Sequence, residues 1–265
     1  MRVSGSASTS QFANIFNNGT ITAISGAIEI DSTLENASIY NTGTISGGLG
    51  EGIQHGATGQ LWVFNTGTIL SQVTAVETEG SITLTNTGTL SGEVEYGNIA
   101  FIDNSGLIEG SISDNDQITV AGIQGATVSN AGTITGDVRR GNGNDNFFDL
   151  GGSVGGRVQG GSGDDTFYVR SATLRIADSF GSIDRIFTTV DYRIAQGIEA
   201  LFADTQVGLH LWGSVRAERI EGNAGNDTLE GLGGNDTLFG QTGDDHVFAG
   251  APATTIWSAI PGATR

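Results

Sequence analysis

The chain has 265 residues, of which 43 are glycine and only 2 proline, a composition unlike either a disordered linker or collagen. Its formal charge of −18 and pI near 4.2 exclude nucleic acid as a principal partner, because phosphate repels such a surface. Cysteine is absent, which excludes disulfides and thiolate metal sites. Hydrophobic residues make up 37%, little for a deep globular core but enough for a thin solenoid one side chain deep. All 11 basic residues are arginine, and only Arg2 precedes Arg139, so the N-terminal half presents almost no positive charge. The opening MRVSGSASTSQFANI lacks the apolar core of a Sec signal peptide, and no apolar run is long enough to span a membrane. Taken alone, that N-terminus predicts a cytoplasmic protein.

From the N-terminus onward, an Asn-x-Gly segment recurs at Asn17, Asn41, Asn65, Asn86, Asn104 and Asn130. Two residues before each asparagine stand Ile15, Ile39, Val63, Leu84, Ile102 and Val128, and four before stand Ala13, Ala37, Leu61, Ile82, Ala100 and Ala126. Four residues after stand Ile21, Ile45, Ile69, Leu90, Ile108 and Ile134. Apolar identity at a spacing of two is strand periodicity, and Asn-x-Gly between two such patches is a turn, its glycine free to take positive φ. Successive asparagines are 24, 24, 21, 18 and 26 residues apart. These intervals suit coils of a parallel β-helix, whose equivalent residues stack about 4.8 Å apart, so that inward asparagines form a hydrogen-bonded ladder. Hairpins with Asn-Gly turns repeat at shorter intervals, and a disordered stalk does not hold apolar identity at three aligned positions. The NTGTI pattern across residues 13–138 also resembles passenger and surface regions of bacterial adhesins and surface-layer proteins.

The second half carries a different unit. Residues 222–248 read GNAGNDTLE, GLGGNDTLF and GQTGDDHVF in strict tandem, and 160–168 (GGSGDDTFY) and 140–148 (RGNGNDNFF) are close variants. These nonapeptides resemble the repeats-in-toxin family, whose signature is G-G-x-G-x-D-x-U-x with U a large apolar residue. Residues 160–168 match at every position, 140–148 lack the first glycine, and the three tandem units lack the second. Independently of the family, glycine-rich turns let backbone carbonyls converge beside the aspartate, as Ca²⁺ requires. The following apolar residue points inward on a short strand. The competing reading is Asx-turn chemistry, in which each aspartate caps its own backbone without metal. Against it stand the doubled acids Asp164–Asp165 and Asp244–Asp245 in a chain already strongly negative.

Two nonapeptides make one coil, so a calcium is expected between turns eighteen residues apart. The resemblance implies carbonyls from the second and fourth positions of the earlier turn, from the first and third of the later turn, and both aspartates. Carried onto this sequence, Asn223, Gly225 and Asp227 face Gly240, Thr242 and Asp245. Asp236 has Thr254 eighteen residues later, in a tail without the motif, and Glu218 eighteen earlier, in the degenerate unit GSVRAERIE (213–221). A Glu218 site would use Gly231 and Gly233 of the later turn and be weak, or replaced by an ion pair with Arg216 or Arg219. Upstream, Asp145 pairs with Asp165, with Gly141 and Gly143 facing Gly160 and Ser162.

These readings predict an all-β chain: a right-handed parallel β-helix running into a calcium-binding β-roll. The segments are a β-helix over 1–138, first calcium turns over 139–175, a strand-rich connector with a degenerate repeat over 176–220, tandem nonapeptides over 221–249 and a tail over 250–265. The function expected is a secreted or cell-surface calcium-binding scaffold, adhesin or matrix component, with Ca²⁺ as its cofactor. The family resemblance implies type I secretion, which overrides the missing Sec peptide. Neither terminus shows an obvious cap, so head-to-tail self-assembly into filaments is a further expectation. The alternative is a β-helix polysaccharide lyase or epimerase, or a glycan-binding adhesin module with an exposed row drawn from Tyr40, Trp62, Phe64 and Tyr96. An enzyme is disfavoured because the N-terminal half lacks cationic residues and His55, His210 and His246 are far apart in sequence, each read as a surface residue.

Overall fold

A computed structural model describes residues 1–3, 12–114, 125–178, 180–181, 183–195, 197–250 and 256–259. Thr254 and most of the 250–265 tail lie outside these residues, as does most of the N-terminal segment on which the end-stacking expectation rests. All regular structure among the described residues is β, and the strands pair in parallel as a β-solenoid. The chain divides into two compact units, one of residues 1–143 and 151–158, the other of residues 144–150 and 159–265.

In the first unit, six strands ending on the repeated asparagines stack in parallel: Phe12–Asn17, Asn36–Asn41, Gln60–Asn65, Ser81–Asn86, Ala100–Asn104 and Thr127–Asn130. The register puts each asparagine directly over the next. Alternation along each strand sends the aligned apolar residues inward, and Ile39, Val63, Leu84 and Val128 are fully buried. A second stack follows the turn, with Ile21, Ile45, Ile69, Leu90, Ile108 and Ile134 in register. A third, not apparent in the sequence, aligns Ile28, Ile53, Val76, Val94, Ile112 and Val138. It was hidden because its distance from the asparagine varies: Ile28 follows Asn17 by 11 residues, Val94 follows Asn86 by 8.

The asparagine side chains form a continuous ladder. Asn17 Nδ2 donates to Asn41 Oδ1 at 2.8 Å, and the same bond recurs from Asn41 to Asn65, Asn65 to Asn86 and Asn86 to Asn104, ending with Asn104 to Asn130 at 2.9 Å. Each amide also donates to backbone, as Asn65 does to Gly67 O and Thr89 O. The turn glycines serve a different purpose from the one expected. None of Gly19, Gly43, Gly67, Gly88, Gly106 or Gly132 has positive φ. Instead the turns stack so closely that a Cβ on Gly43 would lie 2.0 Å from Gly19 O, and one on Gly67 2.1 Å from Gly43 O. Only glycine permits that approach, whatever its φ.

Two side-chain expectations are corrected. His55 is fully buried rather than a surface residue; its ring nitrogens meet Thr78 Oγ1 at 2.9 Å and Leu34 O at 3.1 Å, and burial lowers its pKa so that it stays neutral near pH 7. Tyr96 is buried and cannot belong to an exposed aromatic row. Phe16, Tyr40 and Phe64 do form an outer column, with ring centroids 4.8 and 4.9 Å apart. Their faces cover one another, so the column strengthens coil stacking.

The ladder makes a stability prediction. Replacing Asn65 by leucine removes two ladder bonds and leaves buried polar groups of Asn41 and Asn86 short of a partner, which costs about 2 kcal/mol. Asn17→Leu removes one ladder bond at a more exposed end and is expected to cost roughly half as much in urea unfolding.

Candidate metal centre

In the second unit, one inward column places Phe147, Phe167, Ile186, Leu201, Ile220 and Leu238 in register, each fully buried. Two residues ahead of each stands an acid: Asp145, Asp165, Asp184, Glu199, Glu218 and Asp236. A second column aligns Leu211, Leu229 and Val247, preceded in the same way by Leu209, Asp227 and Asp245. Sequence reasoning missed Asp184 and Glu199. Their signal is the same acid-x-apolar spacing, in SIDRIF and GIEALF, stripped of the glycines that mark a nonapeptide.

The turn aspartates divide their two oxygens between two tasks. One oxygen accepts a backbone N–H from the preceding coil: Leu209 N donates to Asp227 Oδ1 at 2.7 Å, Glu218 N to Asp236 Oδ1 at 3.1 Å, Asp227 N to Asp245 Oδ1 at 2.9 Å and Asp145 N to Asp165 Oδ1 at 2.7 Å. Capping thus crosses between coils, unlike an Asx-turn on the residue's own backbone. The second oxygens of Asp227 and Asp236 are buried and meet no hydrogen-bond donor. Such an atom is costly unless a cation meets it.

The first glycine of each repeat keeps a cradle open beside that oxygen. A Cβ on Gly222 would lie 2.4 Å from Asp227 Oδ2 and 2.8 Å from Gly240 O. One on Gly231 would lie 2.4 Å from Asp236 Oδ2 and 2.7 Å from Ala249 O. In both cases a carboxylate oxygen faces the carbonyl of the residue eighteen positions after the glycine. Asn223 and Thr242 also meet, since Thr242 N donates to Asn223 O at 3.1 Å and Gly225 N to Thr242 O at 3.0 Å. The structure therefore brings Asn223, Gly225 and Asp227 together with Gly240, Thr242 and Asp245.

The backbone explains the glycine pattern. Second-position residues Asn223, Leu232 and Gln241 have φ of 69°, 70° and 72°, and fourth-position Gly225, Gly234 and Gly243 are also left-handed. Where 160–168 has glycine at the second position, Gly161 has φ 106°. Leucine at such a position is strained by about 1 kcal/mol, a local cost of the departure from double glycine.

At the degenerate repeat, a Cβ on Gly213 would meet Gly231 O at 2.6 Å and Glu218 Oε2 at 2.9 Å, so the layout persists with glutamate. Glu218 stands beside Asp236, as the eighteen-residue count expects, and its N–H donates to Asp236 Oδ1 at 3.1 Å. Its carboxylate accepts from Ser214 N at 3.2 Å and from Ser214 Oγ, while Arg219 pairs with Glu221 and lies 4.7 Å over the Phe239 ring. Gly233 N donates to Ser214 O at 3.2 Å. Upstream, Gly160 abuts the Asp165 carboxylate, and Ser162 pairs with Phe180 on the following coil. Gly141 packs on the Asp114 carboxylate and Gly143 has φ 110°; both fall in the first unit, whereas Asp145, Asp165, Gly160 and Ser162 fall in the second.

Burial pushes Asp227 up to about 6 and Asp184 up to about 7, against the lowering effect of the backbone N–H each accepts. It also raises Glu218 and Asp236. These carboxylates are held where their charge is least comfortable without a counter-ion.

Residues 212–251 match the family model of the RTX calcium-binding nonapeptide repeat, in 4 copies. This segment is an RTX calcium-binding repeat array. The matched span takes in the degenerate unit 213–221 as well as the three tandem nonapeptides. No curated protein and no solved structure matches the chain. Calcium is the ion these repeats bind, and the donors fit it: hard carboxylate and carbonyl oxygens, with no nitrogen or sulfur ligand.

A proton on Asp227 competes directly with a cation. Because its pKa is raised to about 6, calcium affinity is expected to be constant above neutrality and to fall as pH drops through 6. Calcium titrations at pH 7.5 and 5.5 check this, with a higher half-saturation concentration expected at the lower pH.

Proposed function

We propose that the chain is a calcium-ordered structural protein of the cell exterior, exported by type I secretion and serving as a surface scaffold, adhesin or matrix component. One observation carries the reading: the buried second oxygens of Asp227 and Asp236, each facing a carbonyl across a glycine cradle. In this reading Asn223, Gly225, Asp227, Gly240, Thr242 and Asp245 hold one calcium, and Asp236 with the Ala249 carbonyl holds another. Asp145 and Asp165 contribute upstream. The Glu218 turn is the weakest, because Ser214 already satisfies its carboxylate.

The physical sense of the arrangement is control of folding. Without calcium the turns stack charge over charge, and the second unit stays unfolded at low intracellular calcium. Outside the cell, millimolar calcium binds the folded form and stabilises it by linkage. The first unit, with its asparagine ladder and apolar columns, needs no ion in this reading. A role in structure rather than catalysis agrees with His55 being committed to internal hydrogen bonds.

Far-UV circular dichroism during a calcium titration tests the reading. Added calcium is expected to increase the β signal and chelation to reverse it. Asp227→Asn should raise the midpoint about tenfold, since it removes a charged ligand while keeping an acceptor for Leu209 N–H. A β signal indifferent to chelator would sink the proposal.

A further inference from the structure

Asp178 belongs to no nonapeptide, yet it is buried in the second unit, two residues ahead of the Phe180–Gly181 strand that pairs with Ser162–Gly163. That pairing folds Asp178 back onto the turn carrying Asp165. Asp165, Asp178 and Asp184 are all buried, and each offers a carboxylate oxygen within 4.8 Å of the other two. Gly160 sits between two of them: a Cβ there would lie 1.9 Å from Asp165 Oδ2 and 2.3 Å from Asp178 Oδ2.

A cluster of acids is not by itself a site, and Asp184 supplies the independent observation. It is fully buried, its Oδ1 accepts Asp165 N–H at 2.8 Å, and its Oδ2 is buried with no hydrogen-bond donor. An oxygen in that condition, in a group of three carboxylates, calls for a positive charge at short range. Hard, anionic oxygens from three residues with glycine-lined space between them suit a calcium ion.

We infer that Asp165, Asp178 and Asp184 hold a calcium ion at the start of the 176–220 segment, outside the tandem repeat array. The inference rests on the calcium reading given above but uses a different rule. The ligands come from a nonapeptide turn, from the segment that folds back beside it, and from the acid of the next coil. Asp165 and Asp184 stand one coil apart, as Asp227 and Asp245 do in the tandem turns, and Asp178 is the ligand that no repeat spacing supplies. Such an ion clamps a segment that lacks the glycine signature to the turn before it, so calcium order extends upstream of residue 212.

Native mass spectrometry of the full chain in calcium buffer counts bound ions and tests this. Asp178→Asn is expected to carry one calcium fewer than the wild type while keeping its β signal. Asp184→Asn keeps an acceptor for Asp165 N–H and should lose the same single ion, so it guards against a folding failure of the first variant. Asp227→Asn is the control, losing an ion of the tandem array at a calcium concentration between the wild-type and variant midpoints, and combined with Asp178→Asn it should lose both there. An unchanged count in either folded variant overturns the inference and leaves the tandem sites standing. Failure of the wild type to bind any calcium would overturn the wider reading instead.

Discussion

Parallel stacking in register places every inward side chain directly over its equivalent in the next coil, about 4.8 Å away. An inward polar residue must therefore be able to satisfy a copy of itself. Asparagine can, because one amide carries both donors and acceptor, and the column from Asn17 to Asn130 is the result. Aspartate cannot. Ionised, it is acceptor-only, and two carboxylates at that spacing repel by about 3 kcal/mol at an effective dielectric constant of 20. The two units of this chain are two answers to one geometric demand, and the second carries calcium-binding repeats.

The division of labour within each turn aspartate makes that answer workable. Oδ1 of Asp227, Asp236 and Asp245 ties one coil to the next through a backbone N–H. That bond aims the other oxygen into the space left by the missing side chain of the repeat's first glycine. In the proposed reading sheet pairing and the ion site depend on the same residue, which couples calcium binding to coil stacking. Glu218 shows what happens when the coupling is relaxed. Its longer side chain reaches Ser214, and the coil is closed by a hydroxyl and an amide instead.

Much of this was legible in the sequence because stacking converts geometry into periodicity. The Asn-x-Gly columns and the eighteen-residue partnership of Asp227 with Asp245 follow from counting. The parts that were missed are those where periodicity breaks. The third apolar column of the first unit varies in its distance from the asparagine, Asp184 and Glu199 lack the flanking glycines, and Asp178 reaches its neighbours only because the Phe180–Gly181 strand folds back. The glycines of the Asn-x-Gly turns were recognised for the wrong property. Their lack of a side chain matters because the carbonyl below them leaves no room, which is a contact between coils that no single repeat reveals.

Hydrogen exchange in calcium and in chelator, resolved along the chain, tests the central claim most directly. The account expects strands within residues 12–114 to be equally protected in both conditions, while the amides of Leu209, Glu218 and Asp227, which donate to turn aspartates, lose protection when calcium is removed. Those three amides remaining protected in chelator would contradict it, since the aspartate columns would then be stable without the cation.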